Sequence, residues 1–161
     1  MRQKTSLLGF TLIEVLIVIG IIAILASIVV IAINPAKQFA QARNTQRESN
    51  INTILNAIGQ KIADNRGIFD GGDPSCPWLD PDVTYNISSA DGAANMDISC
   101  LTPLYIPMMI PIDPEGGRWV SASDYDTKYT IKKDVLGRYT VCAPNAAESA
   151  LPSSRPLCVT R

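Results

Sequence analysis

Gly9-Phe10-Thr11-Leu12-Ile13-Glu14-Val15-Leu16 opens an apolar run that continues to Ile33 and carries a single charge, Glu14. Seventeen residues between Phe10 and Ile33 are Ile, Leu, Val or Phe. As a helix rising about 1.5 Å per residue the run is roughly 36 Å long, against a bilayer hydrocarbon core of about 30 Å. Each aliphatic residue favours insertion by about 0.3 to 0.6 kcal/mol, which together outweighs the roughly 2.5 to 3.5 kcal/mol set against one central acidic residue. A membrane-spanning helix is therefore expected in spite of Glu14. The position of Glu14 near the start of the run lowers its cost further.

On the N-terminal side lies a short leader, residues 1–9, whose Arg2 and Lys4 favour keeping it cytoplasmic. Lys37, Arg43 and Arg47 follow the run on its other side, so the charge balance is not one-sided. A secretory signal fits poorly. Such signals have an apolar stretch of about 7–15 residues with a small-residue cleavage site after it, and Asn34-Pro35-Ala36 is a weak site. The small residue, Gly9, instead precedes the run. A cut after Gly9 would leave Phe10 as a new N-terminus with Glu14 one helical turn away. Glu14 then has two compatible readings. It complements the partial positive charge of its own helix N-terminus, or it neutralises the Phe10 amine of a neighbouring copy in a dry bundle where an unpaired charge is costly.

This constellation of basic leader, Gly9, Phe10 and Glu14 four positions on resembles the processing and methylation site of type IV pilins and pseudopilins. The resemblance implies that a membrane aspartyl prepilin peptidase cuts between Gly9 and Phe10 and N-methylates Phe10. It also implies partners: an inner-membrane assembly platform with a cytoplasmic ATPase, and further copies of the chain in a helical homopolymer. The expected fold is an α+β, pilin-like lollipop, with a long N-terminal helix packed on a small antiparallel sheet. Its parts would be a prepilin leader (1–9), a transmembrane and assembly helix (10–33), an amphipathic helix continuing into the head (34–66) and a small β-rich head (67–161). The precursor would sit in the cytoplasmic membrane with its head exported. The product would be a cell-surface or periplasm-spanning filament.

Beyond the apolar run, Asn34-Pro35 predicts a kink or local melting near Ile31–Pro35, because proline removes a backbone hydrogen bond. Helical pattern then resumes, and Gly67 is a candidate C-cap. Ile51, Ile54, Leu55, Ile58 and Ile62 recur at spacings of three and four and build one apolar stripe, expected to face the chain's own head. Arg43 to Asn50 is polar on every face, so it is expected to be solvated or packed against other polar surface. Two arginines beside one glutamate are too little basic density for a nucleic-acid footprint.

From Gly67 onward lie all but one of the 11 prolines and all four cysteines. Asp70 to Cys100 is rich in turn formers and predicts a long surface loop, with Val83 to Ile87 as a short strand. The alternation in Thr127–Lys133 and Arg138–Ala143 predicts an antiparallel hairpin turning at Asp134 to Gly137, and Arg118–Ser123 predicts a third strand. Pro103, Pro107 and Pro111 exclude a central helix or strand between Leu101 and Ile112. A head this small has a modest core and gains from staples. Cys76, Cys100, Cys142 and Cys158 all follow the expected span, on the exported side, and their even number favours disulfides. Three connectivities are open; the local one, Cys76–Cys100 with Cys142–Cys158, would close one loop and pin the C-terminal tail. Zinc is the weaker reading, with no CxxC and no histidine in the chain.

Pro111-Ile112-Asp113-Pro114-Glu115-Gly116-Gly117 with the following hairpin is also similar, more loosely, to major pseudopilins of type II secretion, where a nearby loop can bind calcium. Asp113, Glu115, Asp124 and Asp126 offer oxygen ligands for calcium here but lack EF-hand spacing; acidic residues in a solvated loop are the plainer account. The sequence contains no Ser-His-Asp constellation and no phosphate-binding glycine loop, so a structural subunit rather than an enzyme is expected. Net charge is −1. Removal of Arg2 and Lys4 with the leader lowers Lys+Arg from 14 to 12 against 15 acidic residues, giving −3 and no drive toward nucleic acid. Two rivals stand beside the pilus subunit: a major pseudopilin of a type II secretion or competence (DNA-uptake) system, and a single-pass anchored binding domain that never polymerises.

Overall fold

The computed structural model describes residues 9–71, 76–152 and 155–161, with backbone alone at 31 and 32. The leader ahead of Gly9, with Arg2 and Lys4, and the turn residues 72–75 lie outside the described residues. The chain divides between Gln38 and Phe39 into two compact units.

The first unit is built on helix α1, Leu12–Ile33, 22 residues long and so about 33 Å from end to end. Every large apolar side chain described between Leu12 and Ile33 is more than half exposed. A helix apolar on all sides has no face for water; it requires lipid or other helices. The expected kink is a full break. Asn34 adopts a left-handed conformation (φ 49°, ψ 79°) that ends α1, and helix α2, Pro35–Asp64, restarts at the next residue. Proline costs little there, because the first helical position has no intrahelical use for its N–H. The Asn34 backbone carbonyl accepts from the Lys37 and Gln38 N–H groups at 3.1 and 3.3 Å.

The second unit carries most of α2 and a six-stranded, mostly antiparallel sheet. The strands are β1 (Thr84–Ser88), β2 (Asn95–Met96), β3 (Arg118–Ser121), β4 (Asp124–Lys133), β5 (Tyr139–Ala143) and β6 (Leu157–Thr160). Their order is β2-β1-β4-β5-β6, with β3 also on β4. β3 takes the first residues of β4, Asp124 to Asp126, and β5 takes the last, Thr130 to Lys133. β1 and β2 pair in parallel. The predicted hairpin is present, with β4 starting three residues earlier than the alternation indicated. Two strands had no counterpart in the sequence reading: β2, only two residues long, and β6, a short strand at the chain end.

Alternation explains the sheet's two faces. Tyr125, Thr127, Tyr129 and Ile131 of β4 and Tyr139, Val141 and Ala143 of β5 point inward. They share one core with Ile51, Ile54, Leu55 and Ile58 of α2, while Ile62 is only partly buried. α2 closes with a six-to-one bond from the Gly67 N–H to the Ile62 carbonyl at 2.8 Å. Arg66 as well as Gly67 is at positive φ there (56° and 91°).

The long loop between α2 and β1 is pinned by a buried carboxylate. Asp70 accepts from the Tyr139 hydroxyl (2.7 Å), the Leu79 N–H (2.9 Å) and the Lys133 ammonium (3.0 and 3.1 Å). Burial pulls its pKa up, but these donors more than offset that and hold it below the ordinary carboxylate value. Burial and the same Asp70 push the Tyr139 hydroxyl well above its ordinary pKa.

Candidate processing and assembly site

Gly9 and Phe10 precede α1, and Phe10 is 89% exposed. Among the described residues nothing lies within 4 Å of where a Cβ on Gly9 would stand, and Gly9 is not at positive φ. Among the described residues, then, no contact demands glycine at this position. Thr11 is the N-cap of α1 and Glu14 its N3 residue, and together they form a capping box. The Thr11 N–H and hydroxyl both donate to Glu14 Oε2, at 2.9 and 2.7 Å, and the Glu14 N–H donates to Thr11 Oγ1 at 3.3 Å. Two orphan donors of the helix start are thus satisfied reciprocally. The Thr-x-x-Glu spacing is legible in the sequence and stands beside the helix dipole and the Phe10 amine as an account of Glu14. The geometry adds a third partner, its own cap.

The second polar cluster lies at the start of the second unit and alters the reading of Arg43 to Asn50. Arg47 is wholly buried, so a solvated face does not describe it; the polar packing alternative does. Its guanidinium forks onto Asp113 (Nε to Oδ2 2.8 Å, Nη2 to Oδ1 3.1 Å) and donates to Glu148 Oε1 (2.5 Å) and Asn44 Oδ1 (2.8 Å). Arg43 forks onto both oxygens of Glu148. Asn50 donates to the Ile112 carbonyl and the Tyr129 hydroxyl at 2.8 and 2.9 Å. Three segments far apart in sequence are thereby tied to one helix face. The Arg43 fork, with Arg47 behind it, holds the Glu148 carboxyl at about 2, against the opposing effect of burial. Arg47 and Asn50 continue the Ile51–Ile54 stripe backward at helical spacing. That periodicity was the available signal, masked because the residues are polar.

The four carboxylates considered for calcium each lie beside a cationic side chain. Asp113 is held by Arg47, Asp124 by an exposed Arg118, and Asp126 by Lys128 at 2.6 Å. Glu115 lies 3.6 to 3.8 Å from the two hub arginines. Among the described residues no group of three or more His, Cys, Asp or Glu side chains is arranged to hold a metal. The cysteines pair as Cys76–Cys100, which ties the long loop to the turn before Thr102, and Cys142–Cys158, which joins β5 to β6.

Residues 8–30 match the family model described as the prokaryotic N-terminal methylation motif. That motif is the signature shared by type IV pilins and pseudopilins. No curated protein and no solved structure matches the chain. The chain is thus pilin-like: it carries the methylation motif at the head of an exposed apolar helix, followed by an α+β unit with two disulfides.

Proposed function

We propose that the chain is a structural subunit of a type IV pilus or pilus-like filament. It enters the cytoplasmic membrane through α1, is cut between Gly9 and Phe10 by a prepilin peptidase, is N-methylated on Phe10, and polymerises by bundling α1 with the α1 helices of other copies. The observation that carries this reading is α1 itself: a methylation-motif helix, apolar on every side and more than half exposed along its length, with one carboxylate in its first turn. Such a surface is satisfied in lipid before assembly and by neighbouring helices after it. Among the described residues no contact calls for glycine at position 9, and recognition of that residue by the peptidase would account for it.

Release of Phe10 creates an amine beside a carboxylate. In a helical bundle shielded from water that amine of one copy and Glu14 of the next attract strongly only when correctly aligned, so pairing sets the register of each added subunit. Platform protein and ATPase would supply the lift that hydrophobic helices need to leave lipid. Glu14→Ala tests the reading. Membrane insertion and cleavage should persist while filament yield collapses; a wild-type yield of filaments from this variant would refute it.

A further inference from the structure

The two disulfides stand in different surroundings. Cys76 is fully buried and Cys100 packs against the core. Cys142 and Cys158 alternate with the inward residues of β5 and β6, so their bond lies on the outer face of the sheet, with Cys142 half-buried and Cys158 exposed. The two residues are directly opposed in the register. Tyr139 and Arg161 exchange both backbone bonds. Every second pair from there is hydrogen-bonded, and Cys142–Cys158 falls on a non-hydrogen-bonded pair, where side chains stand closest. β6 itself is a four-residue strand at the edge of the sheet.

What else fastens β6 is slight. Leu157 and Val159 are only partly buried. The Thr140 and Thr160 hydroxyls share a 2.8 Å bond in an exposed position. Arg161 donates to the side-chain oxygens of Asn52 and Asn56, also at the surface. Exposed bonds of this kind add little net stability. The crosslink spans 16 residues and removes most of the freedom that β6 would gain on leaving.

We propose that Cys142–Cys158 is a redox-releasable strap: a dithiol reductant opens it in the folded head, β6 leaves, and the edge of β5 is uncovered, while Cys76–Cys100 holds the core. One thiolate of the dithiol attacks the exposed Cys158 sulfur, the S–S bond breaks, and the electron pair leaves on the Cys142 sulfur, which takes a proton. The second thiolate then attacks the mixed disulfide at the dithiol's own sulfur and releases Cys158, which is protonated in turn. The dithiol ends as a disulfide, oxidised by two electrons, and the strap as two thiols, reduced by two. Without β6 the N–H and C=O groups of Tyr139, Val141 and Ala143 that faced it are unpaired, and an open row of this kind is a template for another strand. The strap depends on the head alone, whatever α1 packs against.

The full chain in detergent, treated with dithiothreitol in steps and quenched with N-ethylmaleimide, tests this. Peptide masses locate the alkylated cysteines, hydrogen exchange follows the strand amides, and circular dichroism follows the fold. Cys142 and Cys158 should be alkylated on the order of tenfold or more faster than Cys76 and Cys100, because local opening needs far less free energy than global unfolding. At that stage the Val141, Leu157 and Val159 amides should lose protection while those of Ile54 and Ile58 keep it. Simultaneous reduction of all four cysteines, or reduction of Cys76–Cys100 first, would overturn the inference. So would a reduced Cys142–Cys158 pair whose β6 amides stay protected, since the bond would then not be what holds the strand. The double variant Cys142→Ser with Cys158→Ser should show the same loss of protection with no reductant, and wild-type protection in it contradicts the strap. If that variant does not fold, the wild-type series still decides.

Discussion

At Arg47 a guanidinium is taken wholly out of water in a region of α2 with no apolar residue from Gln41 to Asn50 except Ala42. The charge survives there because Asp113, Glu148 and Asn44 together satisfy its planar donor fork. Removing it leaves the buried Asp113 carboxylate without its cation and Glu148 with Arg43 but one donor fewer. Arg47→Met should cost about 3 to 5 kcal/mol, read as a lower denaturation midpoint of the head. The same cluster sets an acid limit. Glu148 is held at about 2, below its ordinary 4.5. A depressed carboxylate contributes stability that is fully present above the unfolded value and is lost as pH falls through the folded one. Thermal melts should therefore lose stability between about pH 4.5 and 2, and Glu148→Gln should be less stable at neutral pH with a flatter acid limb. An unchanged limb in that variant would contradict the assignment. Periodicity could have placed Arg47 on the inner face, but its partners were not legible, since they lie 66 and 101 residues away in sequence and long-range ion pairs leave no local pattern. Glu14 was legible because it interrupts an apolar run.

Among the elements, those with strong periodicity could be read directly. α1 follows from unbroken hydrophobicity, and the β4–β5 hairpin from the alternation of Tyr129 and Ile131 with Lys128, Thr130 and Lys132. β2 could not be, because a two-residue strand exists only through its parallel register with β1. β6 is defined by pairing Leu157 to Thr160 with β5, and its four residues are too few to show alternation. The kink expected at Asn34-Pro35 became a break because Asn34 tolerates the left-handed region that most residues avoid. The hub loop carries its own steric test. A Cβ on Gly117 would stand 2.6 Å from the Asp113 carbonyl oxygen and 2.7 Å from its nitrogen. Gly117→Ala must then displace the backbone that aims Asp113 at Arg47, and should destabilise the head by about 1 to 3 kcal/mol, the usual cost of overpacking, read as a lower denaturation midpoint. Replacing Cys76 and Cys100 together by alanine opens the crosslink across 24 residues and should cost about 2 to 5 kcal/mol, again read from equilibrium denaturation.

For the whole molecule the two units divide the labour. The first presents an apolar helix whose described large apolar side chains stand more than half exposed. The second folds on its own core, with a buried polar hub and two disulfides that suit an oxidising compartment. On the proposed reading, a subunit made this way would store its assembly surface in the membrane, and exposure of the Phe10 amine would make it polymerisable. The most direct test is the intact mass and N-terminal sequence of the protein purified from its own cells. The mature chain should begin at Phe10, with one added methyl group on its nitrogen and all four cysteines oxidised. A chain that still carries residues 1–9 would contradict the account, because Glu14 would then have no amine to meet.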